Sequence, residues 1–216
     1  MNKKIKIVLL AVIVVLIAVV AATLWFFLKK DDTKGKKIDV SAAEAITSFD
    51  GQAIDNSFTK LDYYTLQPSL HEEAAQEAVK HIQDKDQGKR FAAIYLLTLT
   101  GDKDDRSELA KVLEDENKAY ATVAAGTLIG WGDKNAIPIL IESLSSKDSI
   151  PYSDPPTSLA QLAYKALPYY TGKDFGLTAA KSEEEINNAQ AEYKMWWSSN
   201  NEKLQWDEAA NKYIIK

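Results

Sequence analysis

The 216-residue chain contains no cysteine and two histidines. Without a thiol it has no disulfide, no cysteine nucleophile and no thiolate metal site. His71 and His81 stand ten positions apart, which does not bring them to one helical face at ligand distance. No Gly-x-Ser-x-Gly and no glycine-rich phosphate loop is present, which removes the nucleophile elbow and the nucleotide cradle. Asp84-Lys85-Asp86 and Asp102-Lys103-Asp104-Asp105 lack the further oxygen ligands and the bidentate glutamate of a calcium loop. They read as caps and solvated turns. No catalytic residue, metal or cofactor is therefore expected.

Positive charge is also scarce outside the N-terminus. Eight of 26 basic residues lie within the first 37 positions, and the remaining 18 face 29 acidic ones, a net charge of −11. Nucleic acid, whose phosphates call for a basic face, is not an expected partner.

What the chain does have is one long apolar run. Ile7 to Leu28 is 22 residues without a charge, preceded by Lys3, Lys4 and Lys6 and followed by Lys29 and Lys30. As a helix it would extend about 33 Å, enough to cross a hydrocarbon core of roughly 30 Å. A cleaved signal peptide is the competing reading, with small residues at Val19-Val20-Ala21-Ala22. The run exceeds the apolar stretch of a signal peptide, and Trp25 sits where an interfacial aromatic belongs. We expect a basic tail (1–6), a single-pass anchor in the lipid bilayer (7–28) and a juxtamembrane linker (29–40). A lysine count by itself puts the C-terminal flank in the cytoplasm by a small margin. The short basic tail leading into an apolar run is instead how a signal-anchor begins, and we expect the soluble domain outside the cytoplasm.

A seven-residue pattern recurs beyond the linker: Arg90-Phe-Ala-Ala-Ile-Tyr-Leu96, Thr122-Val-Ala-Ala-Gly-Thr-Leu128 and Gln161-Leu-Ala-Tyr-Lys-Ala-Leu167. Gly101-Asp102, Gly132-Asp133 and Gly172 with Asp174 follow the three copies. Repetition at this period marks units that bury an apolar face only against their neighbours. Helices are expected at about 70–83, 89–100, 106–114, 118–130, 135–144 and 157–170, making three antiparallel pairs. The glycines should close helices in the left-handed conformation. Capping-box spacings at Ser41–Glu44 and Ser69–Glu72 predict two further helix starts. Tyr63, Tyr64 and Leu66 are expected to be buried.

These residues resemble HEAT repeats, in which the second helix of each unit opens with a basic or polar residue and paired alanines and ends in a Gly-Asp turn. Arg90, Ala92, Ala93, Leu96, Gly101 and Asp102 match well; the second unit has Thr122 in place of the basic residue, and the third is the weakest. The likeness covers roughly 70–200. It implies an all-α fold, a short α-solenoid of antiparallel helix pairs behind one transmembrane helix. Repeats are assigned to 69–176, an N-terminal helical cap to 41–68 and an aromatic-rich C-terminal cap to 177–216. In the cap, a helix near 182–199 carries Trp196 and Trp197, and 204–206 and 212–215 alternate as two short strands would.

The likeness also implies that the second helices line a concave side, towards which Lys89, Arg90, Lys118, Tyr120 and Thr122 would point. Arg90 has a second reading, as a brace on Asp84 or Asp86. The spacing between copies grows from 32 to 39 residues, and the insertion falls in 145–156, with Tyr152 and Asp154 at its tip. Insertions in such arrays map to loops on one face, often the binding face. The expected function is a membrane-tethered, non-enzymatic scaffold for an unidentified protein partner. The alternatives are a HEAT-like enzyme, either a lyase or an envelope hydrolase, and an envelope carbohydrate binder using Trp196, Trp197 and Trp206.

Overall fold

The structure is a computed structural model that describes residues 40–153 and 155–216. The expected tail, anchor and all but the last residue of the linker lie outside the described residues, as does Asp154. Among the described residues, no helix is long and apolar enough to cross a membrane.

The described chain is predominantly helical, with nine packed α-helices and one small hairpin. α1 (Ala42–Thr47) and α2 (Ile54–Thr65) come first, then α3 (His71–Val79) and α4 (Gln87–Thr100). α5 (Arg106–Ala110) continues as a tight turn of helix, Lys111–Glu114, before α6 (Lys118–Leu128). α7 (Ala136–Ser143), α8 (Leu159–Thr171) and α9 (Glu183–Asn200) follow. Strands β1 (Leu204–Asp207) and β2 (Lys212–Ile215) pair antiparallel, Trp206 opposite Tyr213.

Local signals explain most of these boundaries. Ser41, Asp86 and Asn117 each accept a backbone N–H from the first turn of α1, α4 and α6. Ser158 with Gln161 and Ser182 with Glu185 close full capping boxes on α8 and α9, satisfying donors that the helix itself cannot. Asp102 and Asp105 form the same box on the short turn before α5. Within the two acidic segments read from sequence as caps and solvated turns, Asp86, Asp102 and Asp105 act as caps in the fold.

Packing follows the alternation of the helices. α2, α4, α6 and α8 lie side by side, while α3 backs α4 and α7 sits against both α6 and α8. The paired alanines make this possible. Ala92, Ala93, Ala124, Ala125 and Ala163 are fully enclosed, as are Leu96, Leu128 and Leu167, the last residue of each repeat copy. Burying one such leucine contributes about 1.5–3 kcal/mol. Gly126 marks the closest approach: a β-carbon there would lie 2.6 Å from Leu162 Cδ2.

Three expectations are corrected. Ser69 caps nothing; Pro68 starts a tight turn, Pro68–Leu70, that feeds directly into α3. Leu66 is 67% exposed, because it follows the last residue of α2 and lies beyond the turn that faces the core, whereas Tyr64 is buried with its hydroxyl donating to Val40 O at 2.7 Å. Gly101 has φ −74°, not the left-handed value found at Gly132 (+78°) and Gly172 (+65°). Its role is space: a β-carbon would lie 2.6 Å from Leu97 O.

Candidate functional site

The side chains singled out on the second helices gather at the N-terminal ends of α4 and α6. Asp86 and Asn117 cap the starts of these two packed helices, and Arg90 of the first comes to Tyr120 of the second. Their surroundings differ. Arg90 Nε lies 3.5 Å from Asp115 Oδ2, with 14% and 8% of the two side chains exposed, an ion pair that falls short of a formed hydrogen bond. Its guanidinium stands 5.2 Å above the centre of the Tyr120 ring. The brace expected on Asp84 or Asp86 is thus made to Asp115, on the turn of the following unit. Asp84 and Asp86 instead close their own turn, Asp84 Oδ1 accepting from Asp86 N at 2.9 Å.

Tyr120 and Thr122 do not reach an open face. Tyr120 is 2% exposed and donates its hydroxyl to Gln87 O at 2.9 Å; burial pushes its ionisation up to about 12. Thr122 is 1% exposed, its Oγ1 lying 2.6 Å from Lys118 O and 2.8 Å from Ser143 Oγ. That contact ties α6 to α7. Lys118 is exposed and Lys89 half-buried, so these two lysines, unlike Tyr120 and Thr122, reach solvent.

The 145–156 insertion does not stand out as a free tip. It folds as a closed loop in which Ile150 N donates to Thr157 O at 2.8 Å and Ser149 bridges Ser158. Tyr152, at φ +59°, turns its ring back on the first helices. The ring centre is 5.3 Å from that of Phe49 and 4.9 Å from that of Phe91, edge-on in both cases. Gly51 makes room, since a β-carbon there would lie 2.5 Å from Tyr152 Cε1. Phe58, Tyr95 and Tyr120 extend the cluster. A segment inserted between α7 and α8 is thereby fastened across the stack to the turn after α1. The expectation that Tyr152 is presented outward is corrected by this geometry.

Beside this cluster Asp62 accepts the Tyr95 hydroxyl at 3.2 Å. Burial raises its carboxyl to about 6, against the lowering effect of that hydrogen bond. Sequence reading singled out neither residue: Asp62 belongs to no motif, and Tyr95 fills a variable position of the first repeat copy. The pairing exists because α2 lies against α4.

At the other end, α9 is held by Gln190, whose side-chain amide donates to Ile141 O at 2.7 Å. Trp196 is 9% exposed and packs with Phe175 and Tyr193, so it offers no stacking surface; Trp197 is half-buried. Trp206 lies against Gly132, Tyr170 and Tyr213. Among the described residues, no group of three or more His, Asp or Glu could hold a metal ion.

No family model matches the chain, and no curated protein or solved structure matches it. The described residues are mostly helical, several packed helices followed by a small two-stranded hairpin.

Proposed function

We propose that the protein is a membrane-tethered, HEAT-like scaffold that binds a protein partner and performs no chemistry of its own. One observation carries this reading. Arg90, Tyr120, Thr122 and Tyr152, the side chains best suited by type to act on a ligand, are engaged in holding neighbouring units together. That use of polar and aromatic groups stiffens a frame, and a stiff stack of helices serves recognition through its outer surface. Lys118 and Lys89 stand at its accessible edge in an otherwise acidic domain. They are suited to an acidic patch on a partner, because complementary charge sets encounter rate and register. The run 7–28 as an anchor would supply effective concentration without new contacts.

The test is site-specific photo-crosslinking in the native membrane. A photoreactive residue at Lys118 is expected to give one discrete adduct, absent when the same group is placed at Lys111 on α5's extension. Charge reversal at Lys89 should weaken that adduct. Identical adduct patterns from both positions, or none from Lys118, would sink the scaffold reading.

A further inference from the structure

A pocket of about 400 Å³ opens where the C-terminal hairpin meets the turn between α6 and α7. Gly132, Asp133 and Lys134 form one wall, Arg106 at the head of α5 another, and Trp206 and Tyr213 from the paired strands a third. Gly132 has no alternative here: its φ is +78°, and a β-carbon would lie 2.8 Å from Trp206 Cγ. The indole therefore seats directly on the backbone of the turn.

Trp206 Nε1 is buried without a hydrogen-bond partner, and so is the hydroxyl of Tyr213. Tyr213 is 5% exposed. The opposite charges of Asp133 and Arg106 both act on that hydroxyl, and burial keeps it protonated far above neutral pH. A buried hydroxyl left without a partner loses its hydration with nothing in return. The donors around it are only partly used. Arg106 gives Nη1 to Trp131 O at 3.1 Å, and Lys134 gives Nζ to Asn201 O at 2.7 Å. A guanidinium carries five N–H donors and an ammonium three, so most remain available to a ligand. Asp133 has one oxygen committed, accepting from Asn135 N at 3.0 Å. Two cations and one carboxylate leave the lining at +1, a positive spot in a domain of strongly negative charge.

We propose that this pocket binds a carboxylate, with Arg106 and Lys134 supplying charge and the Tyr213 hydroxyl a neutral donor. A planar monoanion matches both the net charge and the fork of the guanidinium. A phosphate dianion would exceed that charge and meet Asp133. The carboxylate belongs to a small free acid or to the C-terminus of a peptide. The site rests on its own geometry and stands or falls independently of the scaffold reading.

The experiment uses the full-length chain labelled with fluorotryptophan, with the Trp206 signal assigned through Trp206→Phe and followed by fluorine NMR. N-acetylglycine is expected to shift that signal saturably, while N-acetylglycinamide, which lacks the charge, leaves it in place. Tyr213→Phe should weaken the binding about tenfold, the worth of one hydrogen bond to a charged group, and Arg106→Gln at least as much. Tyr213→Phe should also leave the unfolding midpoint unchanged or raised, since it deletes an unpartnered hydroxyl, which separates lost binding from lost folding. A tetraglycine with a free C-terminus binding more tightly than N-acetylglycine assigns the site to peptide ends, and weaker binding assigns it to a free acid. No saturable shift at tens of millimolar, equal binding by both variants, or a response to inorganic phosphate alone would overturn the proposal.

Discussion

Replacing Tyr152 with alanine tests whether the inserted loop is fastened or merely adjacent. The ring is half-buried and touches Phe49, Phe91 and the Gly51 turn. Truncating a fully buried aromatic costs about 3–5 kcal/mol, so a half-buried one should cost roughly 2 kcal/mol. Gly51→Ala attacks the same contact from the other side. Its new methyl would lie 2.5 Å from Tyr152 Cε1, and overpacking of this kind costs about 1–3 kcal/mol. The two effects share one cause and cannot add. In the Tyr152→Ala background Gly51→Ala should be nearly neutral, giving a coupling of about 1–2 kcal/mol. Tyr152→Gly should cost less than Tyr152→Ala by roughly 1 kcal/mol, because only glycine accepts the left-handed backbone of position 152 without strain. Urea unfolding of the full-length chain followed by far-UV circular dichroism reads all four variants. With a slope of about 2 kcal/mol per molar, Tyr152→Ala should lower the midpoint by about 1 M. Strict additivity of the two alanine variants, or a Tyr152→Ala midpoint equal to that of the parent, would refute the fastening.

Two further outcomes follow from side chains buried between helices. Asp62 titrates near 6 in the fold against an ordinary value of 3.8, so between those pH values the folded state holds more protons than the unfolded chain. Stability should therefore fall as pH rises from about 4 to 6, by up to about 3 kcal/mol. Asp62→Asn should flatten this slope and be the more stable protein at pH 7; an unchanged slope in chemical denaturation across that range would show that Asp62 is solvated. Thr122→Val keeps the shape of the side chain but removes the link to Ser143 and the bond to Lys118 O. It should cost about 1–2 kcal/mol, and a thermal midpoint equal to that of the parent would show that the α6–α7 contact is held by apolar packing alone.

The helices between 71 and 171 were legible because their signals are local. The alanine pairs, the closing leucine of each copy and the polar caps are set by spacing along one helix, and the observed bounds lie within a few residues of those read from sequence for most of them. α3 is the main exception: it stops at Val79, although Ile82 beyond it is buried. The cap helix near 182–199 and the strands near 204–206 and 212–215 were also readable, the strands from period-two alternation. Gly101 shows the limit of such reading. A glycine after a helix suggests the left-handed conformation, yet here it answers to the Leu97 carbonyl one turn back. Arg90 shows another: a brace was foreseeable, but Asp115 was not, because the choice among nearby acids depends on how one helical unit stacks on the next.

The sequence by itself determined where most of the helices between 71 and 171 start and stop, in large part which of their faces are apolar, and that residues 7–28 form a run long enough to span a bilayer. Those properties follow from short-range capping and from the period of the apolar residues. Only the tertiary structure decided that Tyr152 turns inward, that Tyr120 and Thr122 are enclosed, that Asp62 meets Tyr95, and that the Tyr213 hydroxyl is left unpartnered beside Arg106 and Lys134. Each of these joins positions from different elements, in one case more than a hundred residues apart. Such meetings are fixed by the packing of whole elements, to which no single stretch of chain has access.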